Sequence, residues 1–226
     1  MDVSLHFFRP ALPPPDRTLC SAIFKAVEED FHDELEGLIA SAVDYFHPCA
    51  VYRVLEPLTD GASARLDGVR FDYPYVADKL KGSPFAVPYV ITCGPELDQW
   101  SAPFREDPLA SFWAEELKKI ALNCVGNALH QEMRRLLALE ENQFLASLNP
   151  GSIKPFPIEG QKPLFTVLGE AETARLTGVR LQPSMLMLPY KTGSGIYFLS
   201  DKEYHNCMLC PRDDCPNRRA PKAEGI

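Results

Sequence analysis

Long apolar runs are missing from this sequence of 226 residues. A membrane-spanning helix needs roughly 20 consecutive apolar residues, and the nearest stretch, 85–92, is short and interrupted by Pro88. Residues 1–6 also lack the basic and then apolar segments of a signal peptide. We therefore expect a cytoplasmic protein that does not engage a membrane.

Basic residues are too few for a nucleic-acid binder. The chain carries 23 lysines and arginines against 31 aspartates and glutamates, a formal net charge of -8. Because clustered lysine and arginine bind a phosphate backbone, we expect no nucleic-acid partner. There is no G-x-G-x-x-G motif, and in the segment 189–195 the lysine precedes the glycines, which is the wrong order for a P-loop.

Hydrophobic residues make up 46% of the chain and aromatic residues 10%, enough to build a sizeable core. The length suits one large domain or a domain with an appendage. We divide the chain into a proline-rich N-terminal arm (1–17), a domain (18–200) and a cysteine-rich, metal-binding tail (201–226). The prolines of the arm exclude a helix there.

Apolar spacing predicts both helices and strands. Steps of three and four residues favour an amphipathic helix over about 18–47 and a longer one over about 108–140. Strands are predicted at 49–55, 64–75, 85–92, 144–148, 179–188 and 196–199, and a short helix is predicted to end at Gly169. A glycine- and serine-rich loop is predicted over 189–195. The pattern indicates an α+β fold, with a mixed sheet and long flanking helices.

Cysteine gives the most specific chemical signal. The chain has seven, an odd number, and a cytoplasmic protein rarely forms a disulfide framework. Cys207, Cys210 and Cys215 form a C-x2-C-x4-C motif in the tail. Clustered thiolates bind zinc or the iron of an iron–sulfur cluster, so the motif predicts a metal centre.

The spacing of the thiols does not determine which metal binds. Three thiolates with one open position suit an iron–sulfur cluster, which we rank before zinc. A closed zinc site needs a fourth ligand, for which the candidates are His205, Cys49, Cys93 and Cys124. Arg212, Arg218 and Arg219 would offset the negative charge of the thiolates. Without a metal, the tail would act as a thiol-based sensor.

Two separated segments carry a second signal when they are taken together. The first is 148–152 (Leu-Asn-Pro-Gly-Ser), and the second is 194–198 (Ser-Gly-Ile-Tyr-Phe). Between them lie the short helix ending at Gly169 and a strand, and upstream lie 92–97 (Thr-Cys-Gly-Pro-Glu-Leu) and 126–128 on the long helix. This ordered series resembles the activation (reactivation) domain of cobalamin-dependent methionine synthase over about 85–200.

The resemblance implies a domain that docks on a corrinoid protein and helps to return an oxidised cobalt(II) cofactor to use. The partner, a corrinoid protein or cobalamin-dependent methionine synthase, carries the cobalamin, and an electron donor is a further candidate partner. In the family, S-adenosylmethionine supplies the methyl group that traps the reduced cobalt. The positions that match its pocket are Asn149, Pro150, Gly151, Ser152, Ser194, Gly195 and Tyr197, with Gln131 or, preferably, the acid Glu132 on the long helix.

Two positions depart from the family pattern. The family's arginine falls at Ser147, and the aromatic residue after the glycine falls at Ser152. The next basic side chain in the loop is Lys154. Our leading hypothesis is a reactivation component that binds S-adenosylmethionine and carries a metal centre in its tail. The alternative is a non-catalytic module that binds a corrinoid protein and holds structural zinc. The sequence assigns no catalytic residue under either.

Overall fold

A computed structural model describes residues 3–210, 212, 214, 218 and 220–222. Its strands are β1 (His6–Phe8), β2 (Cys49–Tyr52), β3 (Leu58–Thr59), β4 (Ala64–Leu66), β5 (Val69–Phe71), β6 (Ala86–Thr92), β7 (Phe144–Leu148), β8 (Arg180–Leu181), β9 (Met187–Leu188) and β10 (Thr192–Ser200). Its α-helices are α1 (Ser21–Phe24), α2 (His32–Ser41), α3 (Pro74–Leu80), α4 (Pro95–Trp100), α5 (Pro108–Leu136), α6 (Gln161–Leu168) and α7 (Glu170–Thr177). The predicted α+β class is confirmed.

The main sheet has the strand order β1-β2-β6-β10-β7. All of its pairings are antiparallel, so the sheet is not mixed as the sequence suggested. Strand β10 lies between β6 and β7, and Tyr197 is opposite Val87 on one side and Ser147 on the other. This register brings the end of β7 beside the middle of β10, where two of the predicted site segments meet.

Both faces of the main sheet are buried, because successive side chains point to opposite sides. On one face, Tyr89 and Tyr197 pack with Leu129 of α5. On the other face, Val90 and Ile196 belong to a core cluster that also contains residues of α3 and α6. The nearly continuous burial of β6 follows from this two-sided cover.

Helix α5 spans 29 residues and begins with strong local signals. The side chain of Asp107 accepts hydrogen bonds from the backbone N–H groups of Leu109 (2.9 Å) and Ala110 (3.1 Å), and Pro108 occupies the first turn. The helix ends at Leu136, four residues before the predicted end. Among the described residues, no helix is both long and apolar enough to cross a membrane.

The single helix predicted over 18–47 is wrong. The chain there forms α1, a 3-10 turn at Glu29–Phe31, α2 and a second 3-10 turn at Val43–Tyr45. Glu28 is extended, with ψ at 146°, and this interrupts the helix. Phe24 of α1 and Leu35 of α2 are nevertheless buried in the same core cluster, so the apolar spacing runs through the break.

Three other segments differ from the sequence prediction. Pro74 ends the predicted strand region by starting α3. The predicted strand over 179–188 forms two short strands, β8 and β9, which pair with each other. The predicted loop over 189–195 is shorter, because the chain from Thr192 onward belongs to β10. The short helix that ends at Gly169 is confirmed, and α7 follows it directly.

Candidate functional site

Asn149 lies at the centre of the predicted ligand site and uses all of its hydrogen-bonding capacity. Its Nδ2 donates to the Ser194 carbonyl oxygen (2.7 Å) and to the Tyr89 hydroxyl (2.9 Å). Its Oδ1 accepts from Ser147 Oγ (3.3 Å) and from Asn206 Nδ2 (2.5 Å). A side-chain amide has two donor hydrogens and two acceptor lone pairs, so these four bonds satisfy it. We call Asn149 and these four partners the Asn149 network.

Gly195 allows this network to form. A Cβ added at Gly195 would lie 2.5 Å from Asn149 Nδ2, 2.7 Å from the Tyr89 hydroxyl and 2.9 Å from the Leu148 carbonyl oxygen. Any larger residue would push these groups apart. Gly195, which the resemblance places in the ligand pocket, therefore makes room for a neighbouring side chain.

Ser194 and Tyr197 lie on opposite faces of β10 and are both buried. Ser194 Oγ donates to the Oε1 atom of Gln161, a buried residue at the start of α6 (3.0 Å). Tyr197 stacks on Tyr89 with ring centroids 4.3 Å apart and an interplanar angle of 19°. The structure brings both residues to the Asn149 network, but their side chains form part of the core.

His130 of α5 extends the aromatic pair. Its ring meets Tyr197 edge-on at 5.8 Å, and its Nε2 lies 3.2 Å from the Leu145 carbonyl oxygen. Burial lowers the pKa of His130, although the bond to Leu145 acts in the opposite direction. The neutral form of the His130 imidazole is thus favoured next to Tyr197.

The turn that follows β7 provides the exposed part of the site. Pro150 is buried, while Gly151 and Ser152 are exposed. Gly151 has φ at +81°, which favours glycine, and its N–H donates to the Phe156 carbonyl oxygen (2.9 Å). The Ser152 N–H is also bonded within the turn, to the Asn149 carbonyl oxygen (3.1 Å), so the group that the turn offers to a ligand at the surface is the Ser152 hydroxyl.

Sequence reasoning missed Tyr204 and Asn206, which extend this site from the predicted tail. The Tyr204 hydroxyl donates to Asn206 Oδ1 (3.0 Å), and the Tyr75 hydroxyl donates to Tyr204 (3.3 Å). Burial, and secondarily the bond from Tyr75, raises the pKa of Tyr204. Lys79 Nζ lies 5.2 Å from the centroid of the Tyr75 ring. The start of the tail is therefore packed against the domain, next to Asn149.

Glu132, the predicted acid on α5, is held by a different partner. Arg135 donates to both of its carboxylate oxygens, at 2.7 Å and 2.9 Å. These bonds lower the pKa of Glu132. The structure links Glu132 to Arg135 on its own helix, and the neighbouring Gln131 is exposed. No hydrogen bond among the described residues joins either side chain to the Asn149 network.

Two of the three tail cysteines are joined by a backbone turn, in which the Cys210 N–H donates to the Cys207 carbonyl oxygen (3.4 Å). Cys207 and Cys210 are half-buried, and Cys207 belongs to a 3-10 turn at Asn206–Met208. Cys215 lies outside the described residues. The described residues contain no cluster of three or more His, Cys, Asp or Glu side chains that could hold a metal ion. Two thiols at this spacing supply half of a thiolate site.

Arg218 organises the backbone around these thiols. Its guanidinium donates to the carbonyl oxygens of Cys207 (2.7 Å), Ala220 (3.3 Å) and Arg212. A weaker contact reaches the Cys210 carbonyl at 3.5 Å. The arginine thus draws the turn together and places a positive charge beside the cysteines.

The other proposed zinc ligands have different surroundings. Cys49 and Cys93 are buried, and burial raises the pKa of both thiols, that of Cys93 to about 12. Burial also raises the pKa of Cys124. These environments favour the thiol form, which binds metal poorly. His205 lies two residues before Cys207, with its Nε2 3.2 Å from Glu203 Oε1.

Comparison with known proteins supports the fold. Neither a family model nor a curated protein sequence matches this chain. Among solved structures, the chain is similar to the MetH reactivation domain, which was crystallised with bound AdoHcy. The TM-score is 0.67, and the match covers 90% of this chain and 81% of that one at 13% sequence identity. The predicted resemblance is therefore confirmed at the level of the fold.

Proposed function

We propose that this protein helps to reactivate a corrinoid methyltransferase such as methionine synthase. The observation that carries this proposal is the similarity of the fold, over 90% of the chain, to the MetH reactivation domain. The protein would work in the cytoplasm by docking on the corrinoid protein. The partner would carry the cobalamin, and this chain would supply the docking surface.

S-adenosylmethionine is the ligand that we propose for the turn after β7. The similar reactivation domain holds AdoHcy, which is the demethylated form of this ligand. Two features of this chain support the proposal. Asn149 donates a hydrogen bond to the Ser194 carbonyl oxygen, which joins the two matching segments, and Gly151 and Ser152 are exposed. Since Asn149 is fully bonded, we assign it to shaping the turn. The hydroxyl of Ser152 and the exposed Lys154 would contact the ligand.

The tail would contribute a metal centre held by Cys207, Cys210 and Cys215. We rank an iron–sulfur cluster first and zinc second. Reduction of cobalt(II) takes up one electron, and an iron–sulfur cluster can supply electrons singly. A separate donor would reload it, and the methyl group of S-adenosylmethionine would trap the reduced cobalt. The positive charge of Arg218 would offset the charge of the thiolates.

A second candidate function is a non-catalytic module that binds a corrinoid protein and holds structural zinc. Two observations favour it. The side chain of Asn149 is satisfied internally, and Ser147 stands where the family has an arginine to bind the ligand. Under this candidate, the tail would stabilise the docking surface, and no methyl donor would bind.

Calorimetric titration with S-adenosylmethionine and AdoHcy separates the two candidates. We expect saturable binding to the full chain, and Ser152→Trp should abolish it by filling the exposed turn. Ser184→Trp, at an exposed serine between β8 and β9, is the matched control and should bind normally. If the unmodified protein binds neither compound, the methyl-donor role is excluded.

The docking role has its own test. A cobalamin-dependent methionine synthase without its own activation domain is oxidised to the cobalt(II) form and supplied with reductant and S-adenosylmethionine. We expect this protein to restore methyl transfer, whereas Ser152→Trp should still bind the partner without restoring activity. If no complex forms and no activity returns, the proposed function is wrong.

A further inference from the structure

A cleft with several charged side chains in its lining lies away from the Asn149 network. Its volume is about 780 Å³, within the usual range for small-molecule sites. It is bordered by α4, the 3-10 turn at Ala102–Glu106, the first half of α5, and the segment from Gly178 to Tyr190. The cleft has no role in the proposed reactivation chemistry.

The carboxylates of the cleft are already neutralised. Lys118 is almost fully buried, and its Nζ donates to Asp98 Oδ1 (3.0 Å), Ser101 Oγ (3.0 Å) and Glu115. The second oxygen of Glu115 pairs with Lys191 Nζ at 3.1 Å. Two lysines therefore balance two carboxylates, and all three N–H donors of Lys118 are used.

Two arginines add further positive charge to the cleft. Arg105, in the 3-10 turn at Ala102–Glu106, and Arg180, on β8, both line the cleft. Neither has an ion-pair partner in the part of the chain that the structure describes. A positive cleft is unexpected in a protein with a net charge of -8. Guanidinium groups bind phosphate and carboxylate oxygens in a bidentate manner, so the cleft suits an anion.

Tyr190 suggests what the rest of the ligand resembles. It lines the cleft, and 70% of its surface is exposed, so the ring is accessible to a ligand. An exposed ring at the edge of a cationic cleft can stack on a planar group. We propose that the cleft binds a small organic phosphate, with the phosphate on Arg105 and Arg180 and a planar group on Tyr190.

Binding is tested with three probes on the full chain: phenyl phosphate, inorganic phosphate and succinate. We expect saturable binding in the order phenyl phosphate, then phosphate, then succinate. Each lost charge-assisted contact should weaken binding roughly tenfold, so Arg105→Gln with Arg180→Gln should weaken phosphate binding about a hundredfold. Arg175→Gln is the matched control, because this arginine is paired with Glu172 on α7 outside the cleft.

Two further variants make the assignment specific. Tyr190→Ala should weaken phenyl phosphate binding and leave inorganic phosphate unchanged. Ser152→Trp should change neither, which separates this cleft from the proposed methyl-donor site. The proposal is overturned if no probe saturates the unmodified protein, if the double variant binds as well as the control, or if succinate binds as tightly as phenyl phosphate.

Discussion

Asn206 Nδ2 donates a hydrogen bond to Asn149 Oδ1 at 2.5 Å, across 57 residues of sequence. Asn206 immediately precedes Cys207, while Asn149 begins the turn to which we assign the ligand. The proposed metal-binding segment and the proposed methyl-donor site are therefore joined directly by a pair of side chains. A rearrangement of the tail would alter this bond and thereby the position of Asn149 at the start of the turn after β7.

Asn149→Ala should destabilise the fold by about 2–4 kcal/mol, because it leaves the buried ends of several hydrogen bonds unpaired. The groups that lose a partner include the Tyr89 hydroxyl and the Ser194 carbonyl oxygen. Denaturant unfolding followed by circular dichroism would measure the change. Asn206→Ala should cost less, since it removes two hydrogen bonds, the one to Asn149 and the one from the Tyr204 hydroxyl, whereas Asn149→Ala removes four.

Asn127→Ala is the control for this pair, since Asn127 lies exposed on α5. Its free energy of unfolding should be unchanged or slightly higher, because alanine favours helix. A cost for Asn149→Ala no larger than that of the control would show that the Asn149 network does not stabilise the fold.

Gly195→Ala should destabilise the protein by about 1–3 kcal/mol through overpacking. The added methyl group would lie within 3 Å of Asn149, Tyr89 and Leu148. Gly37→Ala is the matched substitution, since Gly37 lies within α2 with nothing within 4 Å of the added Cβ. It should stabilise by about 0.5–1 kcal/mol. Thermal unfolding of both variants should give shifts of opposite sign, and a stable Gly195→Ala protein contradicts the packing argument.

Local signals predicted α5 well and the N-terminal region poorly. Asp107 and Pro108 mark the start of α5 within a few residues of sequence, and its apolar stripe continues without a break. In the N-terminal region, the extended residue Glu28 separates short helices that pack on the same core cluster. Apolar spacing reports the shared buried face and cannot reveal a break in the backbone between its segments.

The site was predicted in part for a similar reason. The motif around Asn149 and the motif around Ser194 were both identifiable in sequence, and the antiparallel register of β7 and β10 brings them together. Tyr204 and Asn206 come after the last predicted strand, in a segment without periodicity, so only the folded chain places them at Asn149. The resemblance placed Gly195 in the ligand pocket, and the sequence could not show that the small residue makes room for the Asn149 side chain.

Acid stability should depend on the lysine pair around Glu115. Burial alone would raise the pKa of Glu115, but hydrogen bonds from Lys118 and Lys191 hold it below 4.5. Because the folded pKa is lowered, this contribution to stability is present above pH 4.5 and is lost as the pH falls below that value. Burial opposes the charge on Lys118, but its bonds to Glu115 and Asp98 raise its pKa above 10.5, so its contribution is lost only in strong alkali.

Glu115→Gln should therefore flatten the dependence of the unfolding free energy on pH between about pH 6 and about pH 3. Lys191→Gln removes one of the two cations and should give an intermediate slope. Urea unfolding midpoints across this range would measure it. Identical slopes in all three proteins would mean that Glu115 is not stabilised by these lysines.

The tail gives the sharpest chemical prediction. Untagged protein purified without oxygen should contain iron and acid-labile sulfide and absorb visible light. The double change of Cys207 and Cys210 to serine should remove the metal, because thiolates are the ligands of such clusters. Cys124→Ser, at a half-buried cysteine on α5, should retain it.

Arg218→Lys tests how the tail is organised. Lysine cannot reproduce a planar guanidinium that contacts the carbonyl oxygens of Cys207, Arg212 and Ala220 together, so this variant should lose metal more readily to a chelator. A colourless protein with stoichiometric zinc would exclude the cluster and favour a structural tail. A protein free of both metals, with Arg218→Lys indistinguishable from the unmodified chain, would exclude a metal centre and leave Cys207 and Cys210 as thiols beside the ligand turn.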